Sequence, residues 1–159
     1  MSVPVELRVI DRGDDAFLSQ AWRLKERIRM KEGVLKQRRG FFTRAYRRAR
    51  VHLLLGEDES LIGFAATRPD GYLLFLAVDP EYRGLGFGRR LVAAVAEEYD
   101  SITCHARRSN EQALAFYTGI GFEVTKRINN YYEDGGDAYY LRLGDPPSLS
   151  DRLRKYVGS

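Results

Sequence analysis

A glycine-rich stretch that follows an apolar run holds the residues of this sequence best suited to bind a charged ligand. Positions 83–90 read Arg-Gly-Leu-Gly-Phe-Gly-Arg-Arg, and the apolar run at 72–78 precedes them. The run is too short for a globular helix and predicts a buried strand, whereas the apolar spacing over 91–99 predicts a helix. Backbone N–H groups at a helix N-terminus lack partners within the helix and carry the positive end of its dipole. The turn is therefore suited to a phosphate group.

The spacing of the glycines distinguishes this turn from two other phosphate-binding motifs. It is not G-x-x-x-x-G-K-[ST], and no acidic residue about twenty positions later ends a second strand as in a Rossmann site. Glycine lets the backbone approach a phosphate closely, and Arg83, Arg89 and Arg90 add positive charge at the same end. The pattern predicts a ligand with a pyrophosphate group. A helix that is entered through a flexible turn, without a ligand, is the alternative interpretation.

The turn resembles the acetyl-CoA pyrophosphate loop of the GNAT N-acetyltransferases, in which Arg-x-x-Gly-x-Gly follows an apolar strand. Here these positions are Arg83, Gly86 and Gly88. A second stretch, 109–122, resembles the S-N-x-x-A-x-x-x-Y-x-x-x-G-F helix of the same family. The resemblance covers residues 50–143 and implies an α/β fold. Its mixed central sheet has about six to seven strands, mostly antiparallel with one parallel splayed pair, and helices on both faces.

The resemblance implies a binding site for acetyl-CoA, without a metal. The strand end at 76–78 matches the one whose backbone holds the pantetheine, and Asn110 matches a side chain that touches the pantetheine arm. Tyr117 matches the tyrosine near the thioester sulfur, whose hydroxyl can protonate the departing thiolate. The predicted cofactor-binding residues are Leu76, Ala77, Val78, Arg83, Gly84, Leu85, Gly86, Phe87, Gly88, Arg89, Arg90, Asn110 and Tyr117.

A finer resemblance is to protein Nα-acetyltransferases of the RimI and archaeal Ard1 type. Residues 130–138 read Asn-Tyr-Tyr-Glu-Asp-Gly-Gly-Asp-Ala and are similar to the N-Y-Y-x-D-G-x-D-A segment of those enzymes. This similarity implies that Tyr131 and Tyr132 contact an acceptor peptide, whereas a hairpin with aromatic cross-strand pairs is the alternative. The Phe-Pro element between the first two helices of those enzymes is replaced here by residues 30–34. The resemblance therefore carries over no first-residue specificity.

The candidate base is His105, because an ammonium must lose a proton before its nitrogen can attack a thioester. Histidine ordinarily ionises near pH 6.5, about where such a base is useful. RimI-type enzymes have glutamate at this position and some eukaryotic N-terminal acetyltransferases have histidine, accompanied by a tyrosine that Tyr72 matches. We expect Tyr72 and His105 to face one cleft; a half-buried structural histidine is the alternative. His52 has no comparable context. Cys104 is set aside as an acyl-carrying nucleophile for two reasons. It lies on the opposite side of its strand from His105, and the GNAT family transfers the acetyl group directly.

The N-terminal third is strongly basic. Residues 23–50 contain 12 Lys and Arg against two Glu, so this segment carries +10 and the remainder −6 of the net charge of +4. A solvated helix face is one interpretation. In GNAT proteins the first two helices border the acceptor site, so the resemblance implies an acidic acceptor; docking on RNA, for instance a ribosome, is a further interpretation. The residues concerned are Arg29, Lys31, Lys36, Arg38 and Arg39.

The length of 159 residues predicts one domain over residues 1–159. This domain has a basic helical arm and a C-terminal tail, and between them the resemblance implies an acetyl-CoA-binding core. These three parts are residues 14–50, 72–122 and 145–159, and the tail adds a short helix. The predicted helices are 15–31, 34–48, 91–99 and 109–119, and the predicted strands are 5–10, 51–55, 61–67, 72–78, 102–106, 122–127 and 137–143. Asp14 and Asp15 are expected to begin the first helix, and Gly33 to end it. Ser109 and Gln112 are expected to form a capping box. Strand 102–106 is the predicted parallel neighbour of strand 72–78.

The resemblance, taken together with the composition, leaves three classes of function. The hydrophobic, charged and aromatic fractions are ordinary for a soluble domain, the single Cys104 excludes an internal disulfide, and no apolar run or signal pattern indicates a membrane span or export. A cytoplasmic location follows by default. The leading hypothesis is an acetyl-CoA-dependent Nα-acetyltransferase of proteins or peptides. A GNAT enzyme acting on a small amine is the second. A non-catalytic module that binds acetyl-CoA and docks on nucleic acid through its basic arm is the third.

Overall fold

The computed structural model describes residues 4–144, which form two compact units that divide after Glu97. The first unit contains β1 (Glu6–Ile10), α1 (Leu18–Glu32), α2 (Arg39–Arg48), β2 (Arg50–Leu55), β3 (Leu61–Thr67), β4 (Leu73–Val78) and α3 (Phe87–Ala96). The second contains β5 (Ile102–Arg107), α4 (Glu111–Gly119), β6 (Glu123–Ile128) and β7 (Ala138–Leu143). The predicted α/β class is confirmed. The short helix predicted for the tail lies outside the described residues.

The first unit is built on an antiparallel sheet in the order β1-β2-β3-β4. Its central strands β2 and β3 are buried almost throughout, because helices cover both faces. Phe64 packs with α1 and α2 in one core, whereas its neighbour Gly63 points to the other face, where Leu91 of α3 lies. A Cβ at Gly63 would lie 2.7 Å from the Ala77 carbonyl oxygen. Glycine at this position therefore permits the close approach of β4.

Aromatic packing around Phe42 holds α2 on the sheet. Its ring centroid lies 4.8 Å from that of Phe75, 5.5 Å from Trp22 and 6.1 Å from Phe64. Neighbouring Tyr46 is fully buried and donates a hydrogen bond from its hydroxyl to the Ala16 carbonyl at 2.7 Å, and burial raises its pKa. Rings in this arrangement combine burial of apolar area with favourable edge contacts. The connection between β1 and α1 is thereby fixed to α2.

The N-termini of α1 and α4 are capped by residues other than those predicted, whereas the C-terminus of α1 agrees with the prediction. The N-cap of α1 is Phe17 at φ 64°, whereas the Asp14 carboxylate accepts a hydrogen bond from the Ala16 amide within the preceding turn. The predicted end of α1 is confirmed, since Gly33 is left-handed at φ 70° and donates to the Arg29 carbonyl. At α4 the cap is Asn110, whose side chain accepts from the Ala113 amide at 3.1 Å, so the predicted capping box was wrong.

The second helix begins at Arg39 instead of residue 34. The preceding connection is not helical because Leu35 has φ 56° and Arg38 is extended. Lys25 of α1, whose side chain is fully buried, donates a hydrogen bond from Nζ to the Gln37 carbonyl. The connection is therefore fixed by a tertiary contact, which the periodicity of the sequence does not contain.

The second unit is a three-stranded antiparallel sheet in the order β5-β7-β6. Side chains of β5 alternate: Ile102, Cys104 and Ala106 are buried, and His105 lies on the opposite face. The prediction of a parallel pair was wrong, since every ladder between described strands is antiparallel and β5 pairs with β7 over all six of its residues. In place of one mixed sheet, the described strands form two antiparallel sheets. The crossover rule assumed that both strands share a sheet, which they do not.

Candidate functional site

The glycine-rich turn has the backbone conformation that a phosphate loop requires. Gly84 and Gly86 are left-handed, at φ 79° and 82°, and Gly86 is the N-cap of α3. A Cβ at either glycine would meet no atom within 4 Å, so backbone conformation and not packing selects glycine here. The turn is exposed, and the first N–H groups of α3 lack partners within the helix. The loop can therefore offer several amides to an anion.

The strand before this loop lies at the edge of its sheet. Among the strands of residues 4–144, β4 pairs with β3 alone, with Gly63 opposite Val78 and Ala65 opposite Leu76. The outer edge of an edge strand presents unpaired N–H and C=O groups. Ala77 is buried, whereas Leu76 and Val78 are half-buried. The strand end can thus bind an extended amide chain by backbone hydrogen bonds.

The three arginines of the loop do not share one environment. Arg83 donates from Nη1 to the Glu32 carboxylate at 2.7 Å and from Nε to the Val78 carbonyl at 3.2 Å. Arg89 and Arg90 are exposed, and the Arg90 guanidinium lies 5.9 Å from the centre of the Phe87 ring. Of the three, only Arg89 and Arg90 have no carboxylate partner among the described residues, so their charge remains available to an anion. Of the remaining loop residues, Leu85 is exposed, Phe87 is buried and Gly88 is half-buried.

Tyr72 precedes β4 in the turn that joins β3 to β4. The Arg68 guanidinium lies 4.4 Å from the centre of its ring, and the Tyr72 amide donates to the Asp70 carboxylate at 3.1 Å. Tyr72 is half-buried and belongs to the first unit, whereas His105 belongs to the second. The expectation that both face one cleft stays a prediction.

In the second unit the structure brings His105 and Tyr131 together. Their rings are stacked, with centroids 4.3 Å apart and planes 14° apart, and the Tyr131 hydroxyl lies 3.4 Å from His105 Nδ1. Tyr140, directly across the ladder on β7, packs against the imidazole at 4.9 Å. Two aromatic rings thus fix the orientation of a half-buried imidazole. A group held in this way is suited to proton transfer, for which orientation matters as much as pKa.

Tyr132 is held by a different set of contacts. The Arg107 guanidinium lies 4.0 Å from the centre of its ring and donates to the Asp134 carboxylate at 3.0 Å, while Tyr131 meets the ring edge-on at 5.0 Å. Burial raises the pKa of Tyr132 to about 12. Its amide donates to the Gly136 carbonyl, which closes the loop between β6 and β7. The predicted tyrosine pair is therefore a packed platform and not a simple cross-strand pair.

The hydroxyl of Tyr117 lies on the opposite face of β5 from His105. Tyr117 packs edge-on against Phe122 at 5.0 Å, and its hydroxyl hydrogen-bonds the buried Cys104 thiol. Burial raises the pKa of Cys104 to about 12, and the Tyr117 hydrogen bond offsets only part of this effect. Sequence reasoning missed this partner of Tyr117. The alternation that separates Cys104 from His105 could have indicated it.

The two polar atoms of the Asn110 side-chain amide can have different roles. Its Oδ1 caps α4, so a contact with a ligand would use the amide nitrogen.

The connection between α1 and α2 forms a basic pocket of about 490 Å³. Its lining residues are Glu26, Arg29, Gly33, Lys36, Gln37, Arg38 and Arg39. The negative charge of Glu26 is balanced by two cations, because Arg29 and Lys25 both donate hydrogen bonds to its carboxylate and lower the pKa of that group. Arg38 and Arg39 have no carboxylate partner among the described residues. Sequence reasoning found these cations but missed Lys25, whose buried ammonium fixes the connection that carries them.

Within residues 4–144, no helix is both long and apolar enough to cross a membrane. The same range contains no cluster of three or more His, Cys, Asp or Glu side chains that could hold a metal ion.

Comparison with known proteins agrees with this geometry. The profile of the Acetyltransferase (GNAT) family matches residues 17–122. N-alpha-acetyltransferase 30 of Xenopus laevis is 38% identical over 78 residues, which are 46% of this chain and 29% of that protein. The chain therefore matches less than a third of the length of this curated relative.

Solved structures extend the likeness to most of the chain. The ribosomal-protein-S18-alanine N-acetyltransferase from Escherichia coli aligns with a TM-score of 0.70 at 24% identity, over 92% of this chain and 98% of that chain. Naa50 of Arabidopsis thaliana, in complex with the bisubstrate analogue CoA-Ac-MVNAL, aligns at 0.67 and 26% identity, over 89% and 99%. Nourseothricin acetyltransferase aligns at 0.56 and 25% identity, over 62% and 66%. The family profile matches well over half of this sequence, and the chain belongs to the GNAT family of acetyltransferases.

Proposed function

We propose that this protein transfers the acetyl group of acetyl-CoA to the α-amine of a protein or peptide. The observation that carries the proposal is the open left-handed turn at Gly84 and Gly86, between the edge strand β4 and the start of α3. The likeness to Naa50, whose structure contains a CoA–acetyl–peptide analogue, supports both the donor and a peptide acceptor. The match to an Nα-acetyltransferase over 78 residues supports the same reading.

Acetyl-CoA binds, in this proposal, along the loop and the strand end that precedes it. The amides from Gly84 to Arg90 receive the pyrophosphate, and the exposed Arg89 and Arg90 add charge-assisted contacts. The outer edge of β4 pairs with the amides of the pantetheine arm. The side-chain nitrogen Nδ2 of Asn110 is not used in the cap of α4, and it contributes a further donor to that arm.

The reaction is a direct transfer between bound acetyl-CoA and bound amine. His105 takes a proton from the acceptor ammonium, and the neutral amine nitrogen attacks the thioester carbonyl. The tetrahedral intermediate then loses CoA as a thiolate, which Tyr117 protonates from its hydroxyl. The attacking nitrogen gives up its second proton as the amide forms, this proton restores the Tyr117 hydroxyl through solvent, and His105 releases its own proton to solvent. Stacking against Tyr131 holds the imidazole in place for the first step.

The acceptor peptide lies, in this proposal, against Tyr131 and Tyr132, with Tyr72 as a further contact. The T-shaped pair of rings at 131 and 132 offers an apolar surface with hydroxyl groups at its edge. The basic pocket between α1 and α2 favours acceptors with acidic residues near the α-amine.

The proposal includes a cytoplasmic site of action. Fractionation of cells that produce the tagged full-length protein tests this location.

Acetyl transfer by the purified protein to a peptide library and to a panel of small amines tests the proposal. We expect kcat/KM to be largest for peptides with a free α-amine. The small-amine hypothesis is favoured by the likeness to nourseothricin acetyltransferase and predicts the reverse order. Binding of acetyl-CoA without transfer to any amine would identify a non-catalytic module. Retention of RNA or ribosomes through the basic segment would then support the docking interpretation.

A further inference from the structure

Two ion pairs join α1 to the connection between β4 and α3. The Arg27 guanidinium lies 2.8 Å from the Asp79 carboxylate, and Arg83 Nη1 lies 2.7 Å from Glu32 Oε2. Asp79 is only 7% exposed and also accepts a hydrogen bond from the Glu81 amide, which fixes the turn after β4. The last two turns of α1 are therefore fastened to the segment that enters the glycine-rich loop.

The Arg83 guanidinium has a second contact on the strand itself. Its Nε donates to the carbonyl of Val78, the last residue of β4, at 3.2 Å. One planar side chain thus connects the last residue of α1 with the last carbonyl of the strand. The rigid fork of arginine is suited to two such contacts in fixed directions.

Glu32 depends strongly on this contact. Its Oε2 receives the Arg83 hydrogen bond, whereas its Oε1 is buried and accepts no hydrogen bond from residues 4–144. A partly buried carboxylate that loses its cation is left with an uncompensated desolvation penalty. The pairing of Arg83 with Glu32 therefore competes with any use of the same guanidinium as a phosphate ligand.

We propose that Arg83 is a positioning residue that acts with Glu32 to hold the Val78 end of β4, and that it is not a ligand of the pyrophosphate. The inference rests on the proposed function, in which this strand end binds the pantetheine arm. It departs from the sequence prediction, which grouped Arg83 with Arg89 and Arg90 as phosphate-binding charges. The two roles differ in which part of CoA the side chain affects.

Titrations with CoA and with pantetheine, which lacks the nucleotide and the pyrophosphate, distinguish the roles. Arg83→Gln and Glu32→Gln should each raise the Kd for both ligands by a similar factor, about tenfold for the loss of a charge-assisted contact. The double variant should show no more than the larger single effect, because both changes break one unit. Arg89→Gln is the matched control. It should raise the Kd for CoA and leave that for pantetheine unchanged.

A different pattern would overturn the inference. If Arg83→Gln weakens only the binding of CoA, as Arg89→Gln does, Arg83 is a phosphate ligand. If Glu32→Gln leaves both affinities unchanged, the pair of Arg83 with Glu32 does not hold the strand end, and the inference is wrong. Should Arg83→Gln not fold, Arg83→Lys, which keeps the charge but not the fork, decides the question with the same two ligands: equal loss for both supports positioning, and loss for CoA alone refutes it. Failure of the wild-type protein to bind either ligand would refute the proposed function as well, whereas the pattern among the variants bears on this inference alone.

Discussion

At the residue scale, the contacts of the candidate acid and base define what each can do. His105 is stacked on Tyr131 and faces Tyr140, whereas Tyr117 reaches the Cys104 thiol on the other face of β5. Among the described strands β5 lies at the edge of its sheet, and the candidate base and the candidate acid lie on its two opposite faces. Such an arrangement suits a transfer in which one group removes a proton and another supplies one.

The His105→Ala variant should lower kcat by about a hundredfold, the usual span for a positioned acid–base group. An imidazole must be neutral to accept a proton, so wild-type kcat rises with pH through the ionisation of the histidine, and this step should be missing from the variant. Acetyl-CoA affinity should change little. Tyr131→Phe is the matched control, because it keeps the stacked ring but removes the hydroxyl that lies 3.4 Å from Nδ1. Near-normal kcat with an unchanged pH profile in His105→Ala would place the base elsewhere, with Tyr72 as the next candidate.

At the scale of elements, the proposal assigns acetyl-CoA to the loop between β4 and α3, and an acidic acceptor to the connection between α1 and α2. The loop is open and left-handed at two glycines, and the connection is extended and lined by cations. Each is fixed by contacts outside itself: the loop by the Asp79 and Arg83 pairs, the connection by buried Lys25. Tertiary contacts therefore help to set the conformation of both elements.

The Gly86→Val variant should bind acetyl-CoA at least tenfold more weakly, because a β-branched residue is strained at φ 82° and its side chain projects from the turn at the helix N-terminus. Gly13→Val is the matched control. Gly13 is also left-handed, at φ 90°, and a Cβ there would also meet no atom within 4 Å, but it lies before α1. Both variants should lose comparable stability in thermal unfolding, and only Gly86→Val should lose affinity in titration. Equal acetyl-CoA affinity in the two folded variants would contradict the phosphate-loop assignment.

Charge reversal of Lys36, Arg38 and Arg39 should raise KM for peptides with acidic residues near the α-amine more than for neutral peptides. The reason is the loss of attraction in the pocket that these cations line, and added salt should have the same selective effect. A charge-matched control reverses Arg23, Arg44 and Arg48, which are exposed but do not line the pocket. An equal response of acidic and neutral peptides would exclude acceptor steering, and loss of RNA binding with unchanged KM would favour docking.

At the scale of the whole molecule, buried acidic groups link stability to pH. Burial raises the pKa of Cys104 and of Tyr132 to about 12 each, and also raises that of Tyr46. In the unfolded chain a thiol ionises near 8.5 and a phenol near 10, roughly, so the unfolded state loses protons that the folded state keeps. The free energy of unfolding should therefore fall as pH rises above about 8.5. Denaturant titrations at about pH 7.5, 9 and 10 measure this fall in the free energy of unfolding. Cys104→Ala should make the fall less steep in the lower part of this pH range. A free energy of unfolding that does not change with pH would contradict the prediction.

The sequence predicted most of the elements because their patterns are local. The strands at 61–67 and 73–78 agree with the structure to within a residue, and Gly33 ends α1 as its position indicates. The sequence did not predict three features, because each depends on a contact between distant residues. They are the hydrogen bond of Lys25 to the non-helical connection before α2, the ion pair of Glu32 with Arg83, and the pairing of β5 with β7. Local patterns identify which residues can do chemistry, whereas tertiary contacts decide which partner each one meets.

The domain boundary remains a proposal at this scale. We propose a single GNAT domain over residues 1–159, which is supported by a family match from 17 to 122 that continues across the division after Glu97.

The most direct test of the account compares two forms of one peptide as acetyl acceptors. Both contain an internal lysine, and only one has a free α-amine, while the other is blocked at its N-terminus. Incubation with the full-length protein and acetyl-CoA, followed by fragment mass spectrometry, locates any acetyl group that is added. We expect one acetyl group on the α-amine of the first peptide and none on the second. Acetylation of the lysine in both peptides, or of neither peptide while a small amine is acetylated, would contradict it.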